Sequence, residues 1–85
     1  MNSGEIKGLK VSAHTEPKKL AGTIKHYLQK GCPCEVKALG QKSICVAVKS
    51  IALLSSMFDL TYCCSISYFN ESDADVAGIQ FTLNP

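Results

Sequence analysis

The side chains here that could do chemistry are two histidines, five cysteines, seven acids and nine lysines, and their spacing decides which reactions remain open. His14 and His26 have no serine or cysteine nucleophile set in a strained elbow, and no paired carboxylates flank a cleft. They read as a turn histidine and a solvated helix histidine, and the chain is expected not to be an enzyme. Cys32-x-Cys34 and Cys63-Cys64 bring four thiols in two pairs. Structural zinc sites, however, separate paired cysteines by about two to four residues, and adjacent cysteines on a strand point to opposite faces. Buried thiols acting as small hydrophobes, with at most one oxidisable exposed thiol, are the expectation, without metal or cofactor. Glu71, Asp73 and Asp75 lack the spacing and the closing glutamate of a calcium loop and read as a soluble hairpin tip.

That leaves the lysines. The basic residues are all lysine, and with seven acids they give a net charge of +2, a mild pull toward polyanions. Without arginine there is no guanidinium fork to read guanine, which excludes base-specific DNA recognition. Lys37, Lys42 and Lys49 gather around one stretch. There the strand segment Val36-Lys37-Ala38-Leu39 runs into Gly40-Gln41-Lys42-Ser43 and then a long apolar helix. Gly40 suits a tight strand exit because a positive φ is cheap without a Cβ, and Ser43 is expected to cap the helix. The turn amides, Lys42 beside them, Lys37 on the strand and Lys49 two turns on make one corner suited to phosphate. An ordinary solvated lysine surface is the alternative of equal weight.

The elements that must position these residues follow from periodicity. Residues 1–5 are a polar, flexible lead, and 6–85 make a single domain with no linker, repeat or low-complexity tract. Ile6 to Ala13 alternates as a first strand, with Leu9, Val11 and Ala13 on one face and Lys10 on the other. Thr15 can cap the helix that follows, Pro17 fits its first turn, and Leu20, Ile24, Tyr27 and Leu28 form its inner stripe. Lys18, Lys19, Lys25, His26 and Lys30 ride outside, and Gly31 stops it. Cys32-Pro33-Cys34 turns the chain into the second strand, Val36 to Leu39, where Val36 and Ala38 face inward and Lys37 is a candidate open-face neighbour of Lys10. After the second helix, Leu60, Tyr62, Cys64, Ile66 and Tyr68 alternate as a half-buried strand. Asn70 to Asp75 turn the chain, and Ala77 to Asn84 complete a hairpin. The order β-α-β-α-β-β implies an α+β, two-layer sandwich with both helices on one face of a mixed four-stranded sheet.

The second helix is apolar on more than one side. Ile44, Ala47, Val48, Ile51, Ala52 and Ser55 form the expected core stripe, while Val46, Leu53 and Met57 with Ser50 form a second. A chain of 85 residues cannot wrap a helix all round, so a homodimer is expected to cover the second stripe. The odd number of cysteines and the missing signal run point to reduced thiols and an intracellular protein, cytoplasmic or nuclear. No run approaches the roughly 20 residues of a membrane span.

Leu9-Lys10-Val11-Ser12-Ala13, Pro17, Ala21-Gly22, Ala38-x-Gly40, Ala47-Val48-Lys49-x-Ile51-Ala52 and the terminal Asn84-Pro85 resemble the stage V sporulation protein S family, a branch of the Alba superfamily. The likeness runs over nearly the whole chain. It implies the translation initiation factor 3 C-terminal-like fold, with the last strand lying between the second and third. It also implies a dimer that binds RNA or DNA through the start of the first helix, the exit loop of the second strand and a hairpin arm. Lys37 and Gly40-Gln41-Lys42 correspond to that loop. Lys18 and Lys19 stand in for the basic pair, since Thr15 and Glu16 precede Pro17 here. The arm departs from the pattern: Glu71, Asp73 and Asp75 make it acidic, and phosphate would repel it.

The expectation is therefore a non-enzymatic nucleic-acid-binding protein contacting RNA or DNA backbone weakly and without base specificity. Its candidate residues are Lys37, Gly40, Gln41, Lys42, Lys49, Lys18, Lys19 and Lys10. The alternative is a dimeric structural or regulatory interaction module on the same fold, and the acidic hairpin favours it.

Overall fold

The computed structural model describes residues 6–70 and 77–85. Its elements are β1 (Lys7–Val11), α1 (Pro17–Gln29), β2 (Cys34–Leu39), α2 (Gln41–Met57), β3 (Cys63–Asn70) and β4 (Ala77–Asn84). The sheet order is β1-β2-β4-β3, with β1 parallel to β2 and β4 antiparallel to both its neighbours. This is the expected α+β sandwich, and the last strand does lie between the second and third. The expected turn at Glu71–Asp75 falls outside the described residues.

Alternation along β2 explains the layering. Cys34, Val36 and Ala38 are buried while Glu35, Lys37 and Leu39 are not, and register carries that division across the sheet. Val36 and Ala38 stand opposite Leu9 and Val11 on β1 and opposite Phe81 and Ile79 on β4. Against this face pack Leu20, Ala21, Ile24 and Leu28 of α1 and Ala47 and Leu54 of α2, closing one core. Leu20, Ile24 and Leu28 are the stripe its 3.6-residue period predicts, with Tyr27 partly buried beside them.

Local chemistry sets the element ends. Pro17 occupies the first helical position of α1, where a missing N–H costs nothing. At its other end Gly31 takes φ +78°; its amide donates to the Leu28 carbonyl at 3.0 Å and that of Cys32 to Tyr27 at 2.9 Å, the paired bonds of a Schellman motif. Thr15 does not cap α1. Its Oγ1 accepts from the Ser12 amide at 3.0 Å, and Ser12 Oγ accepts from His14 N at 3.1 Å. Those bonds divert the backbone from the ladder, so β1 stops at Val11 and Ala13 is exposed in a turn instead of facing the core.

α2 corrects two expectations. Its N-cap is Gly40, at φ 88°, and no side chain caps it; Ser43 lies inside the first turn and is buried. The buried stripe is Ser43, Ala47, Ser50 and Leu54, rotated from the one expected. Ser50 reaches full burial because its hydroxyl donates to the Val46 carbonyl at 2.7 Å, satisfying itself on its own helix. Val46 and Leu53 are partly buried against the core, whereas Val48 and Ala52, assigned to the core by periodicity, are exposed. Val48 is thus left uncovered, and of the second expected stripe Met57 is exposed while Leu53 is only partly buried.

β3 begins at Cys63, later than the alternation from Leu60 suggests, and it is an edge strand that the helices do not reach. Cys64, Ile66 and Tyr68 lie opposite Leu83, Phe81 and Ile79, on the helix side of the sheet, yet all three are exposed.

The thiols divide likewise: Cys32 and Cys34 are buried, but Cys45, Cys63 and Cys64 are exposed, against the expectation of mainly buried sulfur. Burial, and then the neighbouring Cys32, push the Cys34 thiol up to about 11 from about 9. The fold favours the neutral thiol, so this contribution to stability is complete below about pH 9 and lost as pH rises through about 11. Melting temperatures followed across that range are expected to fall more steeply for the wild type than for Cys34→Ala. Parallel curves would show that Cys34 does not titrate with unfolding.

Candidate functional site

Chain direction places the candidate residues. β1 and β2 are parallel, so their C-terminal ends, and with them the loop to α1 and the Gly40 turn, share one edge of the sheet. β4 runs antiparallel to β2, so Gly78 pairs with Leu39 near this edge, and Phe69 pairs with Gly78. Gly40, Gln41 and Lys42 are all exposed there, at the uncapped start of α2. Lys30, at the C-terminal end of α1 before the entry to β2, belongs to the opposite edge.

The lysines separate into groups. Lys10 on β1 and Lys37 on β2 are register partners on the sheet face that no helix covers, and Gln80 and Ser67 extend the same row across β4 and β3. The Lys37 ammonium stands 5.8 Å from the centroid of the Phe69 ring. Lys10, Val11, Lys37, Leu39 and Phe69 together line a shallow depression of about 60 Å³. Lys18 and Lys49 lie in the other layer, on an open groove of about 710 Å³ between the helices that Glu16, Pro17, Ala52, Leu53 and Ser56 complete. Lys19 makes an exposed ion pair with Glu16 at 3.8 Å, worth little to stability. Lys37 and Lys49, expected at one corner, thus line different depressions, because a strand residue on the open face and a residue two turns along α2 are on opposite sides of the sheet.

A second feature is apolar. Val48 and Ile51 of α2, Cys64 and Ile66 of β3, and Phe81 on the floor line a trough beside α2, with Tyr68 next along β3. Ile66 is 66%, Tyr68 81% and Val48 50% exposed. A folded chain of this size rarely leaves such residues contiguous without a use for them. Above the trough, Ser55 Oγ and the Tyr62 hydroxyl hydrogen-bond, tying α2 to the segment that enters β3.

Sequence reasoning passed over Phe69 because strand alternation marked only Tyr68 as a face residue worth noting. A signal was present: Phe69 is followed across the hairpin by Gly78, and a large ring beside a glycine on paired strands suggests a ring lying on bare backbone. Among the described residues no three of His, Cys, Asp and Glu come together as a metal cluster, and no helix is long and apolar enough to cross a membrane.

The sequence model of the stage V sporulation protein S (SpoVS) family matches residues 7–81, from the first residue of β1 to the middle of β4. The chain belongs to the SpoVS family. The match takes in both helices, all of the first three strands and every candidate lysine, so the SpoVS assignment covers the whole of the site just described. No curated protein matches the chain at a significant level.

Proposed function

We propose that this SpoVS-family chain is a small, non-enzymatic nucleic-acid-binding protein that contacts the phosphate backbone of RNA or DNA and does so as a symmetric dimer. The observation that carries the reading is the register of Lys10 against Lys37 on the uncovered sheet face, at the edge where Lys42 stands exposed at the start of α2. The two side chains leave neighbouring strands on the same face and line one depression, which suits them to hold an anion between them. Amides of an uncapped helix start add donors that suit phosphate. Lysines without arginine favour charge over base identity, so affinity should depend steeply on salt and little on sequence.

The test is binding of random-sequence RNA and duplex DNA at low and moderate salt. Lys37→Glu and Lys42→Glu are each expected to weaken binding about 10-fold or more at low salt, while Lys30→Glu, at the far edge, changes it about 2-fold or less. Unchanged melting temperatures would assign the losses to binding. Equal small losses in all three would indicate a diffuse lysine surface, and absence of wild-type binding would reject the reading.

A second reading has its own support. The exposed trough of Val48, Ile66 and Tyr68 suits a protein partner, and the acidic run Glu71, Asp73 and Asp75 opposes tight nucleic-acid coating. On this reading the dimer is kept and the molecule is a structural or regulatory interaction module.

A further inference from the structure

We infer that the uncovered sheet face is a platform for one unpaired nucleotide, its base laid on the Phe69 ring and its flanking phosphates on Lys10 and Lys37. The preferred partner is then single-stranded nucleic acid, not a duplex. This rests on the nucleic-acid reading above and adds the form of nucleic acid taken.

Gly78 holds the ring in place. It is the register partner of both Phe69 and Leu39, and a Cβ built on it would stand 2.5 Å from Phe69 Cε1 and 2.8 Å from the Ala38 carbonyl oxygen. The ring therefore lies across bare backbone, where only glycine leaves room. A phenyl group pressed onto a strand in this way keeps one face against the protein and presents its outer side to incoming rings. Leu39, also partnered with Gly78, extends the apolar surface.

The cations are placed to serve that ring. Lys37 stands two register positions from Phe69, with its ammonium 5.8 Å from the ring centroid, and Lys10 is its neighbour on β1. At this distance the cation is loosely held, and a long flexible stem lets it move from ring to phosphate when a base arrives. Gln80 follows Lys37 in the row, its amide donating to Thr82 Oγ1 at 3.2 Å. Among the described residues the acid on this face is Glu35, two residues before Lys37 on β2. The depression of about 60 Å³ seats the edge of a ring and does not enclose one. Bases inside a duplex are stacked on each other and cannot lie on such a surface, whereas unpaired bases can.

The chain has no tryptophan, so Phe69→Trp puts a single indole reporter at the platform. Titration with a single-stranded oligouridylate is expected to quench its fluorescence, and a fully paired RNA of equal length is expected to leave it nearly unchanged. Phe69→Ala should weaken oligouridylate binding about 5- to 30-fold, the loss of one stacked base, while Phe69→Tyr keeps wild-type affinity. If Phe69→Ala melts like the wild type and binds within about 2-fold of it, or if the duplex binds better, the platform is wrong. Should Lys37→Glu and Lys42→Glu still weaken binding in that case, nucleic-acid binding survives without the platform. If the wild type binds neither probe, both readings fall.

Discussion

If the proposed dimer forms through the trough beside α2, Ile66→Lys is expected to leave a folded monomer. Ile66 is 66% exposed at the centre of β3, an edge strand with unpaired backbone, and is flanked by Val48 and Tyr68 along an uncharged trough. A second copy related by a two-fold axis would bury each of these residues twice and meet no like charge. Full burial of an isoleucine is worth about 1.5–3 kcal/mol, and a two-fold interface contains it on both sides. Introducing two lysines there adds desolvation to the loss, so the dimer should weaken about 1,000-fold or more. Sedimentation at high micromolar concentration measures the mass, and circular dichroism verifies the fold. A monomeric wild type at that concentration would defeat the expectation. Leu53→Lys provides the contrast: Leu53 packs against the core, so charge there should lower the melting temperature before it alters the mass.

Gly78→Val is expected to damage the fold itself. Its Cβ would approach the Ala38 carbonyl to 2.8 Å and the Phe69 ring to 2.5 Å, so the ring must swing away and β2 must also yield. The ring can move, but the backbone of the strand next to β4 is held in its ladder by Cys34↔Leu83 through Leu39↔Gly78. Overpacking of this kind costs about 3 kcal/mol. In a domain of this length that corresponds to a fall of about 15 °C in melting temperature. Thermal unfolding of Gly78→Val beside a Phe69→Ala, Gly78→Val double variant separates the two contacts. If removing the ring restores less than half of the loss, the Ala38 carbonyl is the main obstacle; a Gly78→Val protein as stable as the wild type would contradict the close approach.

Much of the fold was legible because its causes are local. The burial of Cys34, Val36 and Ala38 follows from a period of two, and that of Leu20, Ile24 and Leu28 from a period of 3.6. Gly31 and Gly40 both take positive φ, where a side chain would be strained, and both punctuate the chain where glycine suggests they should. Pro17 opens α1 for the same kind of reason. The two capping expectations failed for different reasons. Thr15 is engaged by Ser12, and Ser43 lies too far into α2 to reach back as a cap.

The candidate site was less legible, and α2 shows why. Its apolar residues extend over more than half its circumference, so periodicity cannot say which side meets the sheet. That depends on where α1 lies and how far the sheet extends. Packing turned Ser43, Ala47, Ser50 and Leu54 inward. Val46 and Leu53 consequently lean on the core, and Val48 faces an open trough. The same holds for β3, whose alternation correctly assigns Cys64, Ile66 and Tyr68 to the helix side but contains nothing about whether a helix is there. Two helices cannot cover four strands, and the edge strand is the one left uncovered.

By itself, then, the amino-acid sequence determined the elements, their order, the two faces of each strand and the family, since each follows from neighbours along the chain. It also supplied lysine without arginine, which sets the kind of anion contact available. Only the tertiary structure decided which lysines meet. Lys10 and Lys37 are joined by a parallel register that no local pattern encodes, whereas Lys37 and Lys49, closer in sequence to one another than Lys10 is to Lys37, are parted by the thickness of the sheet. Proximity in a fold comes from pairing between distant strands, and spacing along a chain does not contain it.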